Sequence, residues 1–201
     1  MDKKYSLIVI VVAIILLAVV VSRNSSTPTS ITPSPRSSTS SDASDSKECS
    51  GIPTPQQTEG PYYKTGSPER VNIAEDLPGE KLTVVGFVFD KNCKPLVNAW
   101  ADFWQADSFG VYDNSGYKLR GYQFTDKDGK YTLETIVPAS YENRPPHIHI
   151  KIKSEGGQIL TSQLYFPDAT QNQTDSIFNR ALIMEITDSP SGKLGHFNFV
   201  L

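Results

Sequence analysis

Apolar and polar positions divide the chain into three stretches of different character. Leu7 to Val21 is an unbroken apolar run, behind Asp2-Lys3-Lys4 and ahead of Ser22-Arg23. Asn24 to Ser46 is mostly Ser, Thr and Pro, with a few charges and no hydrophobic period. From Lys47 onward, short runs rich in β-branched and aromatic residues alternate with Gly, Pro, Asn and Asp. Such runs predict strands over Leu82–Phe89, Val97–Gln105, Tyr131–Ile136, Ile148–Ile152, Ile159–Phe166, Ala181–Ile186 and Phe197–Val200. The Asp90–Pro95 turn makes the first two a hairpin. Asp126-Lys-Asp-Gly129 reads as another hairpin turn, since it lacks the full EF-hand spacing. Glu155-Gly156-Gly157 turns the chain back once more. Pro and Gly make Ile52–Lys64 an ordered arm rather than a strand. Asp107–Gly121 and Pro138–Asn143 are loops, the first long enough to be functional. Asp168–Arg180 is a polar loop with a short helical turn. Short strands at regular spacing predict an all-β fold, an antiparallel β-sandwich.

The apolar run is slightly shorter than the ~20 residues of a full membrane span. It reads as an uncleaved anchor with the Lys pair inside. The alternative is a signal peptide cut near Ser22, although no Ala-x-Ala site is present. Either reading exports the domain, which is then extracytoplasmic and membrane-anchored or secreted. Residues 24–46 cannot bury enough apolar surface to offset their ordering entropy, so a disordered linker is expected. The organisation is therefore an N-terminal hydrophobic helix over 1–23, a linker over 24–46 and one folded domain over 47–201. Asn24 and Asn172 begin sequons. The 2 Cys of the chain, Cys49 and Cys93, predict one disulfide in an exported protein, the alternative being two free thiols.

The 201 residues carry a formal net charge of -3, with a pI of about 5.6. That balance speaks against a nucleic-acid partner. The 3 His are scarce, and two fall in Arg144-Pro145-Pro146-His147-Ile148-His149. On a strand His147 and His149 project to one face, where two neutral imidazoles can grip one metal ion. A bare His-x-His is weak evidence; the bland alternative is a solvated strand face. The two loops add Tyr112 and Tyr141. Two phenolates and two imidazoles make a hard, anionic donor set, suited to Fe(III) rather than zinc or a blue-copper site. A trivalent ion also lowers a phenol's pKa.

Trp104-Gln105-Ala106-Asp107, Gly110-Val111-Tyr112, Arg120-Gly121, Thr125-Asp126, Gly129-x-Tyr131, Pro138, Tyr141 and Arg144–His149 together resemble the intradiol ring-cleavage dioxygenases, especially their short exported members. The likeness runs from about Thr58 to the C-terminus. It implies a single non-haem Fe(III) and an oxidoreductase that cleaves a catechol-type ring with O2 to a cis,cis-muconate, in aromatic compound catabolism. It implies Tyr112, Tyr141, His147 and His149 as metal ligands, with Tyr141 also displaced during turnover. It implies Arg144 and Gln163 as catalytic groups, and Pro61, Tyr62 and Gly110 as substrate-binding residues. Partners would be a small catechol, O2 and, through the N-terminal segment, the membrane; oligomerisation stays open. The competing reading is a non-catalytic, transthyretin-like sandwich acting as a carrier or adhesion module. That reading lacks a use for the paired His and the Tyr112 loop. His196 is expected at the surface. Trp100 and Trp104 are expected in the core, and Tyr117, Tyr122, Tyr131 and Tyr165 in packing.

Overall fold

The computed structural model describes residues 48–201. The proposed hydrophobic helix and linker lie outside them. Among the described residues, no helix is long and apolar enough to cross a membrane.

Among the described residues nine strands form two stacked sheets: β1 Lys81–Phe89, β2 Trp100–Gln105, β3 Arg120–Phe124, β4 Lys130–Ile136, β5 His147–Lys153, β6 Leu160–Tyr165, β7 Glu185–Ser189, β8 Gly192–His196 and β9 Phe199–Val200. One sheet has the order β4-β1-β8-β7, with β9 also pairing β1; the other has the order β3-β2-β5-β6. The inner faces meet in one core. Ala101, Phe103, Ile148, Ile150, Ile152 and Leu164 pack against Leu82, Val84, Leu133, Tyr131, Met184 and Phe199. Apolar contact of this kind is what holds the two layers together.

The sandwich is the one expected, but its pairing differs in four places. β1 and β2 are not hairpin partners: β1 pairs β4, and β2 pairs β3 and β5. Pairing across the Asp90–Pro95 turn stops at a Phe89–Pro95 bridge. Left-handed backbone at Cys93 (φ 61°) and Asn98 (φ 54°) then turns the chain into the other layer. Asp126–Gly129 likewise connects the two sheets rather than two neighbours in one. Its Asp126 carboxylate accepts the Asp128 and Lys130 N–H groups at 2.8 and 2.9 Å. A turn's local chemistry reverses the chain without choosing the next partner strand. The sheets are also not wholly antiparallel, because β8 and β9 run parallel to β1.

The fourth difference is at the C-terminal end. The strand expected over Ala181–Ile186 begins as a 3-10 turn at Arg180–Leu182, capped by Asn179, whose side-chain oxygen accepts the Ala181 N–H at 3.0 Å. β7 starts only at Glu185, and the unforeseen β8 follows it. His196 ends β8 half-buried rather than on the open surface. Trp100 is half-buried on an outer face beside Tyr122, outside the core. The Asn172 amide donates to the Phe166 carbonyl at 2.9 Å, so that sequon side chain is engaged by its own loop.

The arm after Cys49 is stitched onto both sheets. Thr54 exchanges hydrogen bonds with Val200, and Gln57 N–H donates to Thr161 O at 2.8 Å. The predicted disulfide is present between Cys49 and Cys93, closing a loop of sequence separation 44. Replacing both with Ser should lower unfolding free energy by about 2–4 kcal/mol through the freed unfolded chain. Guanidinium melts check this; an unchanged midpoint would show that the link contributes nothing to stability.

Candidate active site

β5 sets the frame. Its residues alternate, so Ile148, Ile150 and Ile152 enter the core while His147 and His149 point to the outer face. That outer face is not solvated. Both imidazoles are only 3% exposed, because the arm around Gly60 and the Tyr112 and Tyr141 loops lie over them. Strand register completes the row: Arg120 and His149 both sit opposite Trp104, Gln163 sits opposite His149, and Tyr165 sits opposite His147.

The two His Nε2 atoms are 3.1 Å apart, and Tyr112 Oη is 3.4 Å from that of His147. The Pro145 carbonyl, 2.7 Å from His147 Nδ1, accepts its proton and leaves the Nε2 lone pair facing the centre. Trp104 stacks flat on His149, with centroids 4.7 Å apart and planes at 11°. Tyr112 and Tyr141 meet edge-on at 5.4 Å, and the Tyr141 ring lies 5.9 Å from that of His147. Tyr62 stacks on Tyr112 at 4.4 Å.

Two glycines make this closeness feasible. A Cβ on Gly110 (φ +80°) would lie 2.4 Å from the Ser140 carbonyl, so Gly110 lets the two tyrosine loops touch. Its observed role is loop packing. At Gly60 the need is conformational: φ is +71°, whereas a Cβ would meet His149 Cε1 at an ordinary 3.5 Å.

Burial keeps the site uncharged. It lowers His147 from 6.5 to about 4, helped by nearby Arg144, and lowers His149 further. It raises both Tyr112 and Tyr141, while Arg144 opposes the rise. The imidazoles are therefore neutral and ready to donate lone pairs, and a phenolate forms only beside a strong cation. Metal bonds of about 2.1 Å place adjacent donors roughly 3 Å apart, the spacing seen from His147 to His149 and to Tyr112, with the Tyr141 ring beside them. The donor set thus fits a ferric ion held by Tyr112, Tyr141, His147 and His149.

Arg144 flanks this cluster. Its Nη1 is 3.3 Å from His147 Nε2, and its Nη2 donates to Gln163 Oε1 at 2.7 Å. Gln163 is fixed in turn by donating to Thr58 O at 2.9 Å. Pro61 is exposed and Tyr62 half-buried at the rim. Several participants were not anticipated. Trp104 stacks on His149 rather than merely filling the core. Tyr165 donates to Gln163 Oε1 at 2.9 Å and accepts from Arg144 at 3.0 Å. Its place two residues beyond Gln163 on one strand was the available signal. Buried Arg120 donates to the carbonyls of Asp113 (3.1 Å) and Tyr62 (2.7 Å), tying the Tyr112 loop to the arm. Asp102 is 2% exposed, accepting from Tyr63 (3.1 Å) and Ser67 (2.6 Å). Asp175 pairs with Arg144.

A family model described as "Dioxygenase" matches residues 58–201. The chain belongs to the intradiol ring-cleavage dioxygenase family. The catechol 1,2-dioxygenase of Acinetobacter baylyi is 33% identical over 141 residues, covering 55% of this chain and 45% of that one. The dioxygenase domain of a carbohydrate-binding fusion protein from Streptomyces sp. SirexAA-E is 49% identical. It superposes with a TM-score of 0.73 over 75% of this chain and 98% of that one. The 3-chlorocatechol 1,2-dioxygenase of Rhodococcus opacus 1CP is 30% identical, with a TM-score of 0.68 over 73% of this chain and 72% of that one. This dioxygenase-family chain spans about half the length of the first curated relatives it matches.

Acid should destabilise the metal-free protein. Below pH about 6.5 the unfolded chain protonates His147, whereas the folded site resists until about 4. The contribution is full above 6.5 and is lost as pH falls toward 4, by about 3 kcal/mol for this group. Guanidinium melts between those limits, with His147→Gln flattening the slope, check it; a slope equal in both proteins would remove His147 as the cause.

Proposed function

We propose that this domain is a ferric, non-haem intradiol dioxygenase that opens a catechol ring with O2 to a cis,cis-muconate-type product. The convergence of His147, His149, Tyr112 and Tyr141 on one buried centre, with Arg144 beside it, carries the reading. When bound, the ferric ion supplies Lewis acidity toward both catechol oxygens and makes the ring reactive to O2. The chain's own groups do the rest. His147 is held by Pro145 and His149 is backed by Trp104. Buried Tyr112 is clasped between Tyr62 and the Arg120-tied loop. Tyr141 is half-buried on a four-residue turn closed by Arg144 N–H to Tyr141 O at 2.9 Å. It is the phenol with room to move and take a catechol proton at its oxygen. Arg144 stabilises negative charge developing on the ring oxygen. Tyr62 and Pro61 form a rim that orients the ring and limits water.

The domain acts outside the cytoplasm, tethered by or released from its N-terminal segment. The Cys49–Cys93 bridge and the Leu7–Val21 run support that placement. Relatives named for catechol, chlorocatechol and hydroxyquinol make plain catechol the first substrate to test. Family membership counts against the carrier reading.

The test is the visible spectrum and metal content of the domain from Lys47, before and after anaerobic catechol, followed by oxygen uptake. A coloured protein holding about one iron, with a band that shifts on adding catechol and uptake that follows, is expected. A colourless protein that stays colourless on ferric loading overturns the reading. Catechol binding without oxygen uptake would leave a metal-binding protein without turnover. His147→Ala or His149→Ala should lose the iron. Arg144→Ala should retain it and slow turnover about 100-fold or more; unchanged turnover would remove Arg144 from its role.

A further inference from the structure

We propose that Asp175 is a positioning residue: its carboxylate sets the plane of the Arg144 guanidinium so that Nη1 faces the reacting centre. The inference rests on the dioxygenase reading above. Asp175 Oδ2 accepts from Nε at 3.1 Å and from Nη2 at 2.9 Å, a two-point hold along one edge of the guanidinium. Gln163 Oε1 at 2.7 Å and Tyr165 Oη at 3.0 Å gather on the same Nη2. Three acceptors thus crowd an atom with two protons. Nη1 lies 3.3 Å from His147 Nε2. The edge aimed at the metal-ligand cluster is the one that Asp175 leaves alone.

This pairing differs from a surface ion pair. The side chains of Arg144 and Asp175 are 16% and 5% exposed. Gln163 and Tyr165 offer neutral oxygens, so Asp175 is the carboxylate that meets the Arg144 charge. Removing a partner from a mostly buried pair leaves the other charge free to swing toward water or the open site. Asp175 is itself held. Its Oδ1 accepts the Ile177 N–H at 3.2 Å, and its own N–H donates to Gln171 O at 3.0 Å. Three residues on, Phe178 packs edge-on against Tyr165 at 5.1 Å. The loop after β6 therefore reaches Arg144 through this carboxylate and Tyr165 through Phe178 and the Ile177 carbonyl. An arginine that acts on developing charge depends on being preorganised, and a displacement near 1 Å can cost about 100-fold in rate.

The test is Asp175→Asn, which keeps the shape and removes the charge, with Asp175→Glu as the conservative variant. Asp175→Ser replaces Asn should Asn fail to fold. In the iron-loaded protein, Asp175→Asn should lower kcat for catechol about tenfold or more, with KM moving far less. Iron content and the visible band should be unchanged, and Glu should restore part of the rate. In an Arg144→Ala background the same change should add nothing further. A readout free of turnover is phenylglyoxal labelling of Arg144, mapped by mass spectrometry. Its rate should rise severalfold in Asp175→Asn. A kcat within about twofold of the parent, a loss that adds fully in the Arg144→Ala background, or unchanged labelling would each overturn the proposal. If the parent protein consumes no catechol, the dioxygenase reading fails on its own and labelling alone decides whether Asp175 holds Arg144.

Discussion

Two uncharged imidazoles buried against each other on one strand are the constraint on which the rest depends. His147 and His149 put their Nε2 atoms 3.1 Å apart beneath the arm and the two tyrosine loops. Polar groups so placed are costly unless something meets them. The surroundings are arranged largely to that end, although His149 Nδ1 is left without a hydrogen-bond partner among the described residues. β2 brings Trp104 flat against one ring, the Pro145 carbonyl takes the other ring's proton, and β6 supplies Gln163 and Tyr165. The inner face of the same strand is pure isoleucine, so the site cannot shift without disturbing the core.

Charge around the centre is balanced group by group. Arg144 meets Asp175, Lys151 meets Glu59, and Arg120 meets the carbonyls of Asp113 and Tyr62. What remains at the centre is two neutral imidazoles and two phenols whose ionisation burial opposes. Two phenolates would offset two of the three charges of a ferric ion. The donor set and the ion therefore suit one another in charge as well as in hardness.

Much of this was legible along the chain. Alternation located β1, β2, β4, β5 and β6, and the His-x-His spacing placed two imidazoles on one face before any partner was known. Tyr112, Tyr141, Arg144 and Gln163 followed from their motifs and do gather at the centre. The failures have a common form. Pairing of β1 with β2 followed from a good turn between them, yet two left-handed residues send the chain to the other layer. Trp104 carried no sign of its site role, because stacking on His149 depends on register between strands far apart in sequence, and Tyr165 showed only its place two residues beyond Gln163 on one strand. Asp175 sits in a polar loop that local pattern cannot tell from solvent-exposed chain.

The amino-acid sequence by itself determined which residues share a face, where turns fall and which side chains can donate to a metal. Those properties follow from backbone period and side-chain chemistry, which act over a few residues. Tertiary structure alone decided which faces are covered, which strands are neighbours and which carboxylate meets which cation. Only the pairing of β2, β5 and β6 and the wrapping of the arm and loops bring residues 58, 104, 112, 149, 163 and 175 together. Burial turned a strand face that could have been solvated into a dry, neutral site, because the arm excludes water from side chains the sequence leaves polar.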